Sequence, residues 1–223
     1  MRFIREQDRK FVDMGNVKNH QMIFPVVYPV ADDRWGPVVR FDNKSLVPGG
    51  QELQNFAGSP LLVIRIMISG TATYFDTAGN RVVMHSEDAL MVNAGKGALQ
   101  ATLHNTDDTY EDDLLEIWLH MPERDSMFHF QVASFQREKG QLYLLTAPEK
   151  QDTEMRRGLF GPGSVYVLEP SAERRNVVIF LISGTLNING RVLSYRDTVM
   201  LEADGPLTMK FDRMSEIFLI RYS

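Results

Sequence analysis

Apolar residues recur along the chain in short runs rich in Val, Ile, Leu, Phe and Tyr, and Gly, Asn, Asp or Pro separates one run from the next. The runs include Leu61–Ile68, Arg81–His85, Asp88–Val92, Leu114–Met121, Gln141–Leu145, Ser164–Pro170, Asn176–Ile182 and Thr185–Ile188. Short β-rich segments at this spacing predict strands, and many of them in series predict a sandwich or barrel rather than a helical or βαβ protein. Only the mixed-charge stretch Glu149–Gly158, with its glycine stop, has the character of a short helix.

The pattern repeats. Ile68-Ser69-Gly70-Thr71 is echoed by Ile182-Ser183-Gly184-Thr185. Each copy follows an apolar run, each precedes a turn glycine (Gly79, Gly190), and each then reaches Asp-x-x-Met, at Asp88–Met91 and Asp197–Met200. Four features in one order point to two related β-barrel halves, 1–125 and 126–223, with the boundary after Asp125.

Composition narrows the function classes. The chain has 223 residues, enough for two β-domains, and its 43% hydrophobic and 24% charged content is ordinary for a globular protein. No apolar run approaches the ~18 residues of a membrane helix, and the charged N-terminus lacks the apolar centre of a signal peptide. Zero cysteines exclude disulfides, thiolate metal sites and a Cys nucleophile, as expected of a cytoplasmic protein. A net charge of −5 without a long Lys/Arg cluster argues against direct nucleic-acid binding. Neither half carries a nucleophile elbow, a phosphate loop or a dinucleotide fingerprint.

Several segments together resemble the pirin family of the cupin superfamily. Tyr28–Gly50 is similar to the family's opening segment, with an acidic aromatic loop, Gly-Pro-hydrophobic-Arg, then Pro-Gly-Gly. Met67–Asn80 resembles its first hairpin, Val92–Asn105 its Ala-Gly-x-Gly loop and following strand, and Leu114–Glu123 the strand that closes its first domain. Asn176–Leu201 resembles the C-terminal cupin. The resemblance implies an all-β bicupin of two tandem jelly-roll barrels.

It also implies a metal in the first barrel, held by a His-Pro-His loop and a His-Ser-Glu strand, a set that suits Fe(II). Counting from Gly70 and Gly97 places those four ligands at Phe56, Gly58, Gln100 and Thr102, none of them a His or a carboxylate. If Leu62 faces inward, Ile64, Ile66 and Ile68 share its face and would fill the former metal cavity. The expectation is a chain without a metal cofactor, not a metal-dependent dioxygenase and without flavonol cleavage. It would instead bind a small apolar or aromatic molecule in a residual pocket or a protein partner, or be a structural remnant without a ligand.

The five histidines offer a rival. His20, His85, His104 and His129 lack a clear constellation, but alternation on Leu114–His120 puts Glu116, Trp118 and His120 on one strand face. An enzyme that retains or relocates its site would use Gln100, Thr102, Glu116 and His120; the pocket candidates, whichever reading holds, are Leu62, Ile64, Ile66, Glu116, Trp118 and His120. The cluster Asp107, Asp108, Glu111, Asp112 and Asp113 lacks the order of a calcium loop and reads as a solvated acidic loop.

Overall fold

A computed structural model describes residues 1–23, 37–57, 61–93, 95, 97–121, 128–135, 138–145 and 153–223. The expected boundary after Asp125, the position Gly58 and the stretch Glu149–Asp152 lie outside the described residues. The chain divides into two compact units, Lys10–Ser134 and a second formed by Met1–Arg9 with Phe135–Ser223. We call them the N-terminal and C-terminal units.

The N-terminal unit pairs a seven-stranded sheet with a four-stranded one. The large sheet runs in the order β12 (His129–Ser134), β9 (Asp88–Asn93), β6 (Leu61–Ser69), β11 (Asp112–His120), β4 (Val38–Leu46), β3 (Val17–Ile23) and β2 (Lys10–Asp13). The small sheet runs β5 (Gln51–Ala57), β10 (Ala98–Asn105), β7 (Thr71–Asp76) and β8 (Arg81–His85). Alternation gives every central strand two faces. Val63, Met67, Leu90, Val92 and Leu114 of the large sheet form one core cluster with Phe56, Tyr74, Leu99, Ala101 and Leu103 of the small one.

The C-terminal unit repeats this plan. Its six-stranded sheet runs β1 (Arg2–Ile4), β19 (Thr198–Glu202), β16 (Asn176–Ser183), β21 (Ser215–Tyr222), β14 (Thr153–Phe160) and β13 (Gln141–Leu145). Its four-stranded sheet runs β15 (Ser164–Leu168), β20 (Leu207–Phe211), β17 (Leu186–Ile188) and β18 (Arg191–Leu193). The core between them is apolar, built on Phe160, Ile179, Leu181, Leu186, Met209 and Phe211. Phe160 and Phe211 stack with ring centroids 4.2 Å apart.

Two expectations are corrected. The architecture is all-β and antiparallel, but neither unit is a closed barrel. In each, two separate sheets face one another, and among the described residues no ladder joins the edge strands of one to the edges of the other. Side-chain packing between faces, not a continuous ring of hydrogen bonds, holds the layers together. The described part of the helix candidate Glu149–Gly158 is strand β14 instead. Its buried residues Thr153, Met155 and Arg157 alternate with partly exposed ones, and pairing with β21 and β13 outweighs the local helix signals.

The sequence repeat has a physical basis in the turns. Gly70 and Gly184 have φ of 87° and 92°, in the region that favours glycine. Each lets the next amide reach a side chain across the sheet: Thr71 N donates to Asp112 Oδ1 at 2.8 Å, and Thr185 N to Ser215 Oγ at 3.0 Å. A Cβ on Gly70 would lie 2.9 Å from Asp112 Cγ, and one on Gly184 2.6 Å from Ser215 Cα. The repeated aspartates do matching work. Asp88 Oδ2 accepts from His85 N at 2.8 Å and Asp197 Oδ2 from Ser194 N at 2.9 Å, closing the turn before β9 and β19. The other oxygen of each ties in the edge strand: Asp88 Oδ1 accepts from Ser134 Oγ of β12, and Asp197 Oδ1 from Glu6 N just after β1.

Gly70→Ala and Gly184→Ala each combine a left-handed backbone with a clash against a structural acceptor. Each is expected to cost about 1–3 kcal/mol of the stability of its own unit. Urea denaturation checks this. Both tryptophans, Trp35 and Trp118, fall within 10–134, so tryptophan fluorescence should report the loss for Gly70→Ala and stay near wild type for Gly184→Ala.

Candidate functional site

The inner face of the large sheet in the N-terminal unit departs from an apolar core at its centre. Register aligns Asp42 of β4, Glu116 of β11, Arg65 of β6 and Leu90 of β9 in one row. The neighbouring row holds Arg40, Trp118, Val63 and Val92. Lys44 lies beyond, opposite Leu114. Since Val63, Met67, Leu90 and Leu114 face the small sheet, alternation sends Arg65, Glu116, Asp42 and Lys44 the same way.

Glu116 is the hub and is fully buried. Its Oε1 accepts from Lys44 Nζ at 2.8 Å and from Trp118 Nε1 at 3.0 Å. Its Oε2 accepts from Arg65 Nε at 3.1 Å and from Gln54 Nε2, on the facing sheet, at 2.8 Å. Gln54 Oε1 in turn accepts from Arg65 Nη2. Lys44 also pairs with Glu52 of β5, and Arg40 with Asp42, whose Oδ2 accepts from Asn19 Nδ2 at 2.8 Å. Burial alone pushes the Glu116 carboxyl upward, but Lys44, Arg65 and Arg40 outweigh it and hold the group well below the ordinary carboxylate range. Asp42 moves the other way, because burial dominates over Arg40 and Asn19.

Around this network guanidinium groups and aromatic rings alternate. Arg40 lies 4.8 Å over the Trp118 ring, Trp118 meets Phe56 edge-on at 5.8 Å, and Arg65 lies 5.9 Å from Phe56 and 5.5 Å from Tyr74.

The predicted site residues separate. Phe56 is buried and faces the core, but Gln100 is exposed and its Nε2 donates to Asn55 Oδ1 at 3.0 Å. Thr102 and His104 share the outer face of β10, because Leu99, Ala101 and Leu103 take the inner one. Counting from Gly97 therefore selected outward-facing positions. Leu62, Ile64 and Ile66 lie on the face of β6 opposite Arg65, in register with Leu119, Ile117 and Leu115. They do not share a pocket with Glu116 and Trp118. His120 stays in register with Leu61 of β6 on the face of Glu116 and Trp118, but it is exposed at the strand end, and no hydrogen bond joins it to Glu116 among the described residues. The sequence reading picked out Glu116 and Trp118 but missed Lys44 and Arg65, charged residues inside apolar strands, which was their only signal.

Comparisons with known proteins follow from this geometry. Residues 131–221 match the family model described as the quercetinase C-terminal cupin domain. A quercetin 2,3-dioxygenase of Escherichia coli O157:H7 is 23% identical over 189 residues, covering 81% of this chain and 80% of that protein. The crystal structure of YhhW from Escherichia coli superposes with a TM-score of 0.88 at 18% identity, covering 100% of this chain and 97% of that one. This is a pirin-like, cupin-superfamily fold. The same E. coli pirin in complex with nickel(II) gives a TM-score of 0.86 at 18% identity over 99% of this chain and 98% of that one. The curated relative corrects the expectation that the chain stands apart from metal-dependent dioxygenases, because the protein it matches along most of its length is one of the quercetin 2,3-dioxygenases.

The three-His, one-Glu set implied by the resemblance does not fit the residues present. The inner positions of β5 and β10 carry Gln54, Phe56, Leu99 and Ala101, and the nearby carboxylate, Glu116, is already matched by Lys44 and Arg65. Among the described residues no group of three His, Asp or Glu side chains is placed to hold a metal. No helix among them is long and apolar enough to cross a membrane.

Replacing Glu116 with Gln takes from Arg65 its carboxylate partner and from Lys44 one of two, Glu52 being the other; removing one partner of a buried pair costs about 3–5 kcal/mol. Tryptophan fluorescence in urea should show it. A carboxyl depressed by folding stabilises above its unfolded value, 4.5 for Glu116, and loses that contribution as pH falls. Wild type should therefore lose part of its advantage over Glu116→Gln below about pH 4.5. Asp42, raised by burial, acts in the opposite sense in both proteins and cancels in the difference.

Proposed function

We propose that the chain is an enzyme related to the quercetin 2,3-dioxygenases, acting on a hydroxylated aromatic substrate in its N-terminal unit. Its site has moved from the family's metal positions to the charged network around Glu116. The observation that carries this reading is the desolvated cluster of Lys44, Arg65 and Glu116 beside the rings of Phe56 and Trp118. A purely structural core has no need of such a cluster, since well-packed apolar residues do as well or better.

The roles follow from charge. Glu116 is held ionised too firmly to serve as a strong base, so its part is to fix Lys44 Nζ and the Arg65 guanidinium in place. Cations fixed in a water-poor interior stabilise negative charge developing on a substrate oxygen far better than mobile solvent does. An aromatic hydroxyl bound at the solvent-reaching edge of the network, beside Arg40, would then release its proton to solvent more readily, and the resulting electron-rich oxide is the form that reacts with dioxygen. Gln54 bridges Glu116 and Arg65 from the opposite sheet and holds that geometry.

Oxygen uptake and quercetin loss, measured on protein as purified and after Ni(II) or Fe(II) supplementation, test the reading. Turnover above a buffer control is expected. It should fall by roughly tenfold or more in Arg65→Met, checked for folding by circular dichroism, as for loss of one electrostatic donor. No turnover under any condition, or turnover unchanged in the variant, would overturn it. Quercetin bound without being consumed would make the site a binding site instead.

A further inference from the structure

Three cations (Arg40, Lys44, Arg65) and three carboxylates (Asp42, Glu52, Glu116) form the network. Lys44 and Arg65 are sealed, with side chains 0% and 1% exposed, whereas Arg40 is 16% exposed and reaches solvent. It does so while stacked on Trp118, itself partly exposed. Arg40 uses Nε on Asp42, and its Nη1 is 3.8 Å from Glu116, beyond a direct hydrogen bond. Its terminal N–H groups thus lie at the edge of the network, with an aromatic plane beneath them.

Deeper along the column a second donor points the same way. Arg65 commits Nε to Glu116 and Nη2 to Gln54, but its buried Nη1 has no hydrogen-bond partner among the described residues. A buried guanidinium N–H without an acceptor is costly, and what would complete it is an oxygen, best a charged one. The column itself, Arg40–Trp118–Phe56–Arg65–Tyr74, suits a flat ring bearing a negative charge.

We infer that Arg40 and Trp118 form the specificity subsite of the N-terminal unit, selecting planar aromatic anions, with the ring against Trp118 and the ionised oxygen on Arg40. This rests on the functional reading above and adds the charge state of the substrate.

Isothermal titration with two probes of one shape, 2-naphthoate and its neutral amide 2-naphthamide, tests it. Wild type should bind the anion roughly tenfold or more tightly, as for a charge-assisted hydrogen bond. Arg40→Met should bring the two affinities to within about threefold of each other, while Arg40→Lys, which keeps charge but loses the planar fork, should retain part of the preference. Equal affinities in wild type, no binding of either probe, or a preference unchanged in Arg40→Met would overturn the inference. The wild-type comparison stands even if Arg40→Met fails to fold. Quercetin turnover in the same preparations separates the two ideas: turnover without anion preference sinks only the subsite, and anion preference without turnover sinks the enzymatic reading.

Discussion

A single buried carboxylate organises the N-terminal unit. Glu116 sits on the central strand β11, between β4 and β6, and faces the small sheet. A charge there is tolerable only if it is surrounded by donors, and Lys44, Arg65, Gln54 and Trp118 all turn to it. Each of those partners comes from a different strand or position, so the network fixes the register of the large sheet and its alignment with β5. A one-residue slip of any contributing strand would send its charged group to the opposite face.

The comparison between the two units sharpens this. They share the sheet order, the glycine turn before the second strand and the aspartate that closes the next turn. They differ in the core. The C-terminal unit is filled between its sheets by Phe160, Phe211, Leu181 and Met209, while the N-terminal unit spends the equivalent space on ions and rings. Among the described residues the C-terminal unit places its buried ion pair Arg157–Glu216 off the apolar core between its sheets, so an ionic network in that space is not needed to pack two such sheets. That contrast makes the N-terminal interior the place to look for chemistry.

Arg65 also gives the departure from the metal-binding pattern a physical form. It supplies a fixed positive charge between the sheets, held by Glu116 and Gln54 and flanked by Phe56 and Tyr74. Unlike a metal ion it has no coordination sites to exchange, so its contribution is electrostatic and positional.

The sequence by itself determined the all-β class, the twofold repeat and the turns that generate it. Those depend on local alternation, glycine backbone freedom and one aspartate three residues after the amide it binds, all of which are written within a few neighbouring positions. It also marked Phe56, Glu116 and Trp118. Which side of a strand faces the core was decided only by the tertiary structure. Alternation leaves that choice open, and both faces of β6 are buried, so Leu62, Ile64 and Ile66 read as well for the interior as Val63, Arg65 and Met67. Counting from Gly97 placed Gln100 and Thr102 inside, although the alternation of β10 puts Leu99 and Ala101 there. His120 keeps the strand face of Glu116 and Trp118, opposite Leu61 of β6, but lies exposed at the strand end. The strand order of the sheets and the joining of β1 to the C-terminal unit rest on contacts between segments far apart in the chain, which no local pattern encodes. The network itself is of that kind: nothing marks Lys44, Gln54, Arg65 and Glu116 one at a time, and they become a hydrogen-bonded cluster only where the fold brings them to the same few ångströms of dry space.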